Sequence, residues 1–305
     1  MWLGAHIGIA DGLAEAPVTA RKIGCEAIQI FSKSPQMWKG PPIPAAAAEE
    51  FGRAVRREGL KATAVHHGYL INLGSPKPPM LRQSRRTFVD ELGRAEELGV
   101  DGLIFHPGAH LGSGPDAGLA TVAASLNWAF EQTPGFRVKA LLENAAGQGT
   151  SLCSTFEELS VVLAQVKDRS RVGVALDTCH LFASGIEFRT EDSYGRMMDD
   201  LDRALGSREV HAFHLNDAKA ELGSHLDRHE NIGKGLLGVD GFRPLLNDHR
   251  WVSRPGYLET PLDGPGYSRY EADLAALRSV VAVGGESTPP VRPKRRASAR
   301  VSKPE

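Results

Sequence analysis

The chain has 305 residues, 41% hydrophobic and 24% charged, enough apolar material for one large core and unlike the composition of a disordered chain. A formal net charge of −1 excludes nucleic-acid binding by bulk positive charge, and no apolar run is long enough to cross a bilayer. Three scattered cysteines, Cys25, Cys153 and Cys179, fit a reducing compartment without a disulfide framework, and the start MWLGAHIGIADGLAEA lacks the basic residues of a signal peptide, so a cytoplasmic address is expected.

Short β-rich runs alternate with longer stretches of helical periodicity. Strands are expected near 2–6 and 27–31. A helix over 45–58 leads to a strand at 62–66, and a helix over 81–98 to a strand at 103–106. The pattern repeats with helix 118–130 and strand 138–143, helix 155–166 and strand 172–177, then helix 193–205 and strand 210–214. A last strand at 257–259 precedes a helix over 268–281. These six helices are the clearest of the helical stretches between the eight strands, and eight strand-then-helix units are the arithmetic of an α/β (β/α)8 TIM barrel, placed here over 1–282. From Val283 the chain turns basic and rich in Pro, Ser and Arg, with no apolar periodicity. Residues 283–305 are therefore expected to be a disordered tail, either merely solvated or in weak, non-specific contact with nucleic acid.

The polar residues at the strand ends carry the chemistry. His66, His106, Glu143, Asp177, His214 and Glu259 each close one of six consecutive expected strands. His180, Asp227 and His229 lie in the loops just beyond the sixth and seventh. One histidine at a barrel rim is most simply a polar rim residue. Six strand ends in succession that carry only His, Asp or Glu call for more. A parallel barrel brings every such end to its C-terminal mouth, where four carboxylates without counter-charge would repel one another. Divalent ions supply that charge, and imidazole with carboxylate suits zinc or manganese in a catalytic site. Nine donors are too many for one ion. In Asp227-Arg228-His229 the two donors are two apart and can reach one ion; in Asp177-Thr178-Cys179-His180 they are three apart across an expected strand-to-loop turn and can face neighbouring ions. Cys179 between them is read as a packing residue. Two or more ions about 4 Å apart are the arrangement used for phosphoester hydrolysis.

The motifs HxxYLINL, FHPG, ENxAGQG, DTCHxF, HLNDxK, GSxxDRHxxIGxG and LET occur in this order from His66 to Thr260. In that order they resemble endonuclease IV, the zinc-dependent apurinic/apyrimidinic endonuclease family, and the likeness extends from GAHIGIADGL to the last barrel helix. The resemblance implies a TIM barrel with three zinc ions per chain, with manganese admissible at some positions. It implies cleavage of double-stranded DNA 5′ to abasic sites, leaving a 3′-hydroxyl and a 5′-deoxyribose phosphate, and trimming of blocked 3′ ends. Position by position, His66 and His106 would hold the first ion and Glu143 would join it to the second. Asp177, His214 and Glu259 would complete the second set, and His180, Asp227 and His229 the third. Glu143 and Glu259 are the catalytic carboxylates it implies. No ligand position departs from the family pattern.

His6, Gln36, Met37, Trp38, Tyr69, Gln148, Asn216, Lys219, Arg228 and Lys234 fall in or beside matching motifs as candidate DNA contacts, with bracing of loops the other reading for Tyr69 and Asn216. The family commonly carries an NPRxW-like segment after the second strand, whose Arg enters the base stack. Here the segment is SPQMW, with Gln36 in the Arg position. Bulk suffices for a wedge, but the lost cation weakens phosphate steering. Ala145 stands where the family has Thr, which removes a hydroxyl beside Glu143. A monomer is expected for a barrel that embraces DNA. Two other functions remain in view: a metal-dependent sugar isomerase or epimerase on a related barrel, which has no use for His180 and the Asp227–His229 pair, and a lesion-binding protein without catalysis.

Overall fold

The computed structural model describes residues 1–264 and 266–282. The tail from Val283, expected to be disordered, lies outside the described residues. In chain order the elements are β1 (Trp2–His6), α1 (Glu15–Lys22), β2 (Ala27–Phe31), α2 (Ala45–Arg57), β3 (Ala62–His66), α3 (Pro78–Leu98), β4 (Gly102–Phe105) and α4 (Pro115–Gln132). There follow β5 (Lys139–Glu143), α5 (Phe156–Gln165), β6 (Val172–Asp177), α6 (Thr178–Ala183), α7 (Glu191–Ala204) and β7 (Val210–His214). The last elements are β8 (Asp217–Ala218), β9 (His229–Glu230), α8 (Gly238–Gly241), α9 (Arg243–Asn247), β10 (Pro255–Leu258) and α10 (Ser268–Ser279).

Eight of the strands close a parallel barrel in the order β1-β10-β7-β6-β5-β4-β3-β2, with helices outside it. The expected TIM barrel is therefore present. Helix starts follow local chemistry. Prolines open α3 and α4, Thr155 caps α5 by accepting from the Glu158 amide, and Thr190 and Ser193 form a reciprocal cap on α7. Gly99 at φ 66° stops α3 in a left-handed turn.

Two-residue alternation along each strand separates an outer from an inner layer. Outward residues such as Leu103, Phe105, Leu142, Val174 and Phe213 join the helices in the main core. The inner layer is small and apolar: Ala27, Ala62, Ala64, Ile104, Leu141, Ala175, Ala212 and Tyr257 fill the barrel, with Trp2 against them. Gly4 sits where strands β1 and β2 approach so closely that a Cβ would lie 2.2 Å from the Ala27 carbonyl oxygen. Continuing the inward phase upward from 64, 104, 141, 175, 212 and 257 gives His66, His106, Glu143, Asp177, His214 and Glu259. The filled interior is the floor on which these six side chains stand.

The strand ends differ slightly from expectation. His106 and Glu259 fall one residue beyond β4 and β10, yet both keep the inward phase. The expected strand-to-loop turn at 177–180 is instead the start of α6. The Asp177 side chain accepts the His180 amide at 2.8 Å, so the same carboxylate caps the helix and faces the barrel mouth. The Asp227–His229 loop is partly ordered into a ladder, because His229 pairs with Ala218 across β8 and β9. Helices α1, α8 and α9, of eight, four and five residues, are not among the expected helices. Among the described residues no helix is long and apolar enough to cross a membrane.

Candidate metal centre

All nine candidate donors meet at the barrel mouth, where their ligand atoms form five overlapping groups: one joins His66 with His214 and Glu259, one joins Cys179 with Asp177 and His229, and the other three together take in all nine. Of these three sets, His66, His106 and Glu143 form one. Glu143, Asp177, His214 and Glu259 form a second, and His180, Asp227 and His229 a third, the atoms of each set lying within 4.8 Å of one another. Glu143 belongs to the first two. It is fully buried at the end of β5, with Oε2 at 3.3 Å from His66 Nε2 and 3.5 Å from His106 Nδ1. Its other oxygen lies 2.8 Å from His214 Nδ1 and 3.5 Å from His180 Nδ1.

The backbone aims the imidazoles. His66 Nδ1 donates to the His67 carbonyl at 2.8 Å, His180 Nδ1 to the Asn144 carbonyl at 2.9 Å, and His229 Nδ1 to the Glu259 carbonyl at 3.2 Å. A carbonyl only accepts, so each Nδ1 carries a proton, and in the neutral ring, the form that binds a cation, each Nε2 presents a lone pair to the mouth. The Nε2 atoms of His180 and His229 are buried without a hydrogen-bond partner, each 3.2 Å from an Asp227 carboxylate oxygen. Buried nitrogens left unpaired beside a carboxylate are what a cation site requires.

Electrostatics agree with that reading. Burial works against ionisation of Glu143, but the charges of His106 and His214 and hydrogen bonds from His214 and His66 outweigh it and hold its carboxyl well below the usual range. Asp227 is likewise held low, its burial outweighed by His180 and His229. Burial opposes ionisation of Glu259 too, and His214 and His6 outweigh it. Burial lowers the imidazoles and neighbouring carboxylates raise them. The carboxylates prevail at His214 and His229, both raised to about 9, and at His180, while burial prevails at His106. The protein atoms thus build a cluster of ionised carboxylates that attracts cations. With nitrogen and oxygen donors and no ionised thiol, the residues fit zinc or manganese. Burial pushes the Cys179 thiol up, and it donates to the Arg228 carbonyl at 3.5 Å, consistent with packing even though its sulfur lies close to Asp177 and His229.

Several supporting residues escape sequence reasoning. Asn144 accepts the Asp177 amide at 2.6 Å. His67 accepts the His106 amide at 2.8 Å. Asp217 gathers the amides of Ala218, Gly233, Gly235 and Leu237 and so shapes the loop behind His229. Gln29, buried on the inward phase of β2, bonds to Glu259, His6 and His214. Asn144 and Asp217 stand inside quoted motifs, and the alternation of Ala27, Gln29 and Phe31 could have drawn attention to Gln29.

The candidate DNA contacts divide by exposure. Met37 is 51% and Tyr69 63% exposed at the rim, and Gln36, Gln148, Lys219, Arg228 and Lys234 line the surface at varying exposure, with Trp38 beside them. Asn216 follows the bracing reading of its two. It is fully buried, its amide donates to Asp177 Oδ2 at 2.7 Å and its oxygen accepts the Glu259 amide at 2.8 Å, so it braces two donors. His6 is deep in the cleft, its Nε2 buried and unpaired.

The model of the family described as xylose isomerase-like TIM barrel matches residues 18–280. A relative named probable endonuclease 4, from Chlorobium limicola, is 44% identical over 94% of this chain and 99% of its own length. The chain belongs to the endonuclease IV family. The crystal structure of endonuclease IV from Thermus thermophilus superposes with a TM-score of 0.80 at 33% identity, covering 92% of this chain and 98% of that one. D-psicose 3-epimerase from Clostridium cellulolyticum superposes with a TM-score of 0.67 at 16% identity over 93% of this chain and 100% of its own, a likeness of fold alone.

Proposed function

We propose that this member of the endonuclease IV family, a DNA-cleaving hydrolase, cuts the phosphodiester 5′ to abasic sites and trims blocked 3′ ends, acting as a monomer with three zinc ions. The observation that carries the reading is Glu143, a fully buried carboxylate shared by two donor sets while a third set lies beside it. A barrel that needs one or two metals for sugar isomerisation has no evident use for His180, Asp227 and His229 as a further set. His66, His106 and Glu143 would hold the first ion, Glu143, Asp177, His214 and Glu259 the second, and His180, Asp227 and His229 the third. Bound there, the ions would activate water and neutralise the charge that develops on the phosphate and the leaving oxygen.

The remaining residues bind and orient. A cleft of about 480 Å³ opens over the donors, walled by His6, Phe31, Tyr69, Pro261 and Tyr270. It is wide enough for a bare sugar-phosphate, and a missing base makes the required extrusion least costly. Tyr69 sits edge-on to Phe31, ring centroids 5.6 Å apart, and with Met37 offers apolar bulk at the rim for a gap in the stack. Arg228 and Lys234 are exposed for phosphate contact, with Lys219 close by in sequence at the end of β8.

The test is incision of a duplex with one abasic site by zinc-loaded protein, alongside a metal count. A single cut leaving a 3′-hydroxyl and close to three zinc per chain are expected. Glu143→Ala should reduce incision by about a thousandfold, on the order of the loss of a principal transition-state contact, and lower the zinc content. An intact strand with zinc bound would overturn the reading.

A further inference from the structure

Gln29 is a neutral side chain that touches both a donor of the second set and the cleft wall, and its bonding pattern has a single solution. Its Nε2 lies 2.7 Å from Glu259 Oε1. A carboxylate only accepts, so the nitrogen of the amide must face Glu259, and the amide oxygen must face His214 Nε2, 2.9 Å away. That oxygen also only accepts, so His214 carries its proton on Nε2. In the neutral ring, the form that binds a metal, the lone pair is therefore on Nδ1, the atom 2.8 Å from Glu143 and 3.3 Å from Glu259. The second amide hydrogen of Gln29 points to His6 Nδ1 at 2.9 Å, a true hydrogen-bond distance, whereas Glu259 is 3.5 Å from the same nitrogen. A donor facing His6 Nδ1 makes that nitrogen an acceptor. The proton of a neutral His6 ring is then on Nε2, the atom that is buried and unpaired in a residue of the cleft wall.

We propose that Gln29 is a positioning residue that sets two histidine tautomers at once, turning His214 into an Nδ1 ligand of the second metal and His6 into an Nε2–H donor aimed at an oxygen of the bound sugar-phosphate. His214 is thereby the opposite of His66, His180 and His229, whose backbone partners leave Nε2 free. Among the described residues no backbone carbonyl is paired with His214 Nδ1 or Nε2, so the amide of Gln29 replaces one. The assignment rests on the metal reading of the donors, and it adds a substrate contact through His6.

Three measurements test it. Long-range nitrogen–proton correlation spectra of the zinc-loaded wild type should show both His214 and His6 protonated at Nε2. Gln29→Leu should weaken zinc retention in a chelator competition about tenfold to a hundredfold, the effect of losing a partner behind a metal ligand. His6→Ala should keep its zinc and raise KM for the abasic duplex, with His6→Gln, which retains a donor, recovering part of the loss. Wild type that takes up no zinc would sink the functional reading itself. Wild type with three zinc beside a Gln29→Leu variant of equal zinc affinity, or a proton found on Nδ1 of either ring, would sink this assignment alone.

Discussion

At the scale of single residues, protons and metal ions compete for the same atoms. His214 and His229 hold protons up to about pH 9 because burial, which opposes the charge, is outweighed by Glu259, Glu143, Asp177 and Asp227. Zinc bound at the proposed sites would displace those protons, so its apparent affinity should climb from pH 7 to about 9 and level off above, and calorimetry in two buffers of different ionisation enthalpy should register proton release on binding. The sign of the stability effect follows. A histidine raised above its unfolded value near 6.5 stabilises the fold fully below that pH, and the contribution is lost as pH rises through about 9. Metal-stripped protein should therefore lose melting temperature between pH 7 and 9, while zinc-loaded protein, whose rings are already neutral, should not. A flat profile for the stripped protein would contradict the pairing described here. The nine donors are legible in the sequence because His, Asp and Glu at successive strand ends have few common purposes. Gln29 is not, because an amide takes its meaning only from what faces it.

At the scale of elements, the segment after β2 is held from beneath. Lys33 is buried and pairs with Glu91 of α3, which also accepts from Ser32 Oγ at 3.1 Å and from the Gly68 amide at 3.2 Å. Arg94, one turn on, donates to Ser32 Oγ at 3.0 Å and to the Pro41 carbonyl at 2.8 Å. The Tyr69 amide bonds to the Pro35 carbonyl at 2.9 Å, and a Cβ at Gly68 would approach that oxygen to 2.8 Å. Gln36, Met37 and Trp38 thus stand on a rigid base shared with Tyr69. Glu91→Ala strands the Lys33 charge and should cost about 3–5 kcal/mol of stability, as loss of one partner of a buried ion pair does, read as a lower denaturant midpoint. Faster proteolysis next to Lys39 should accompany it. The main helices are legible because α2, α3, α4, α5 and α7 carry periodic apolar faces, most with caps or prolines at their starts. Helix α6 is hidden because Asp177, its cap, already reads as a donor, and the β8–β9 ladder because two-residue strands leave no pattern.

At the scale of the whole molecule, the barrel puts its charge where its chemistry is. The chain as a whole is close to neutral, at −1. On the proposed function, phosphate contact would depend on a few exposed cations around one mouth, and on the ions bound inside it. Removing one such cation should weaken DNA binding of every sequence alike. For Lys234→Ala the slope of log affinity against log salt should become shallower by about one, with zinc content unchanged. An unaltered slope would remove Lys234 from the interface. Barrel closure itself is legible from eight alternating units. The order in which side chains meet across the mouth is not, because it depends on strand tilt and on loop paths that no local pattern encodes.

The three anchored imidazoles have one further consequence. Each leans on backbone next to, or within, a different part of the cluster: His66 on the peptide after itself, His180 on Asn144 beside Glu143, and His229 on Glu259. The third set is therefore braced by the segments that build the first and second. Like stones of an arch, the sets have no separate footing, and damage at one donor reaches sets to which its side chain does not belong.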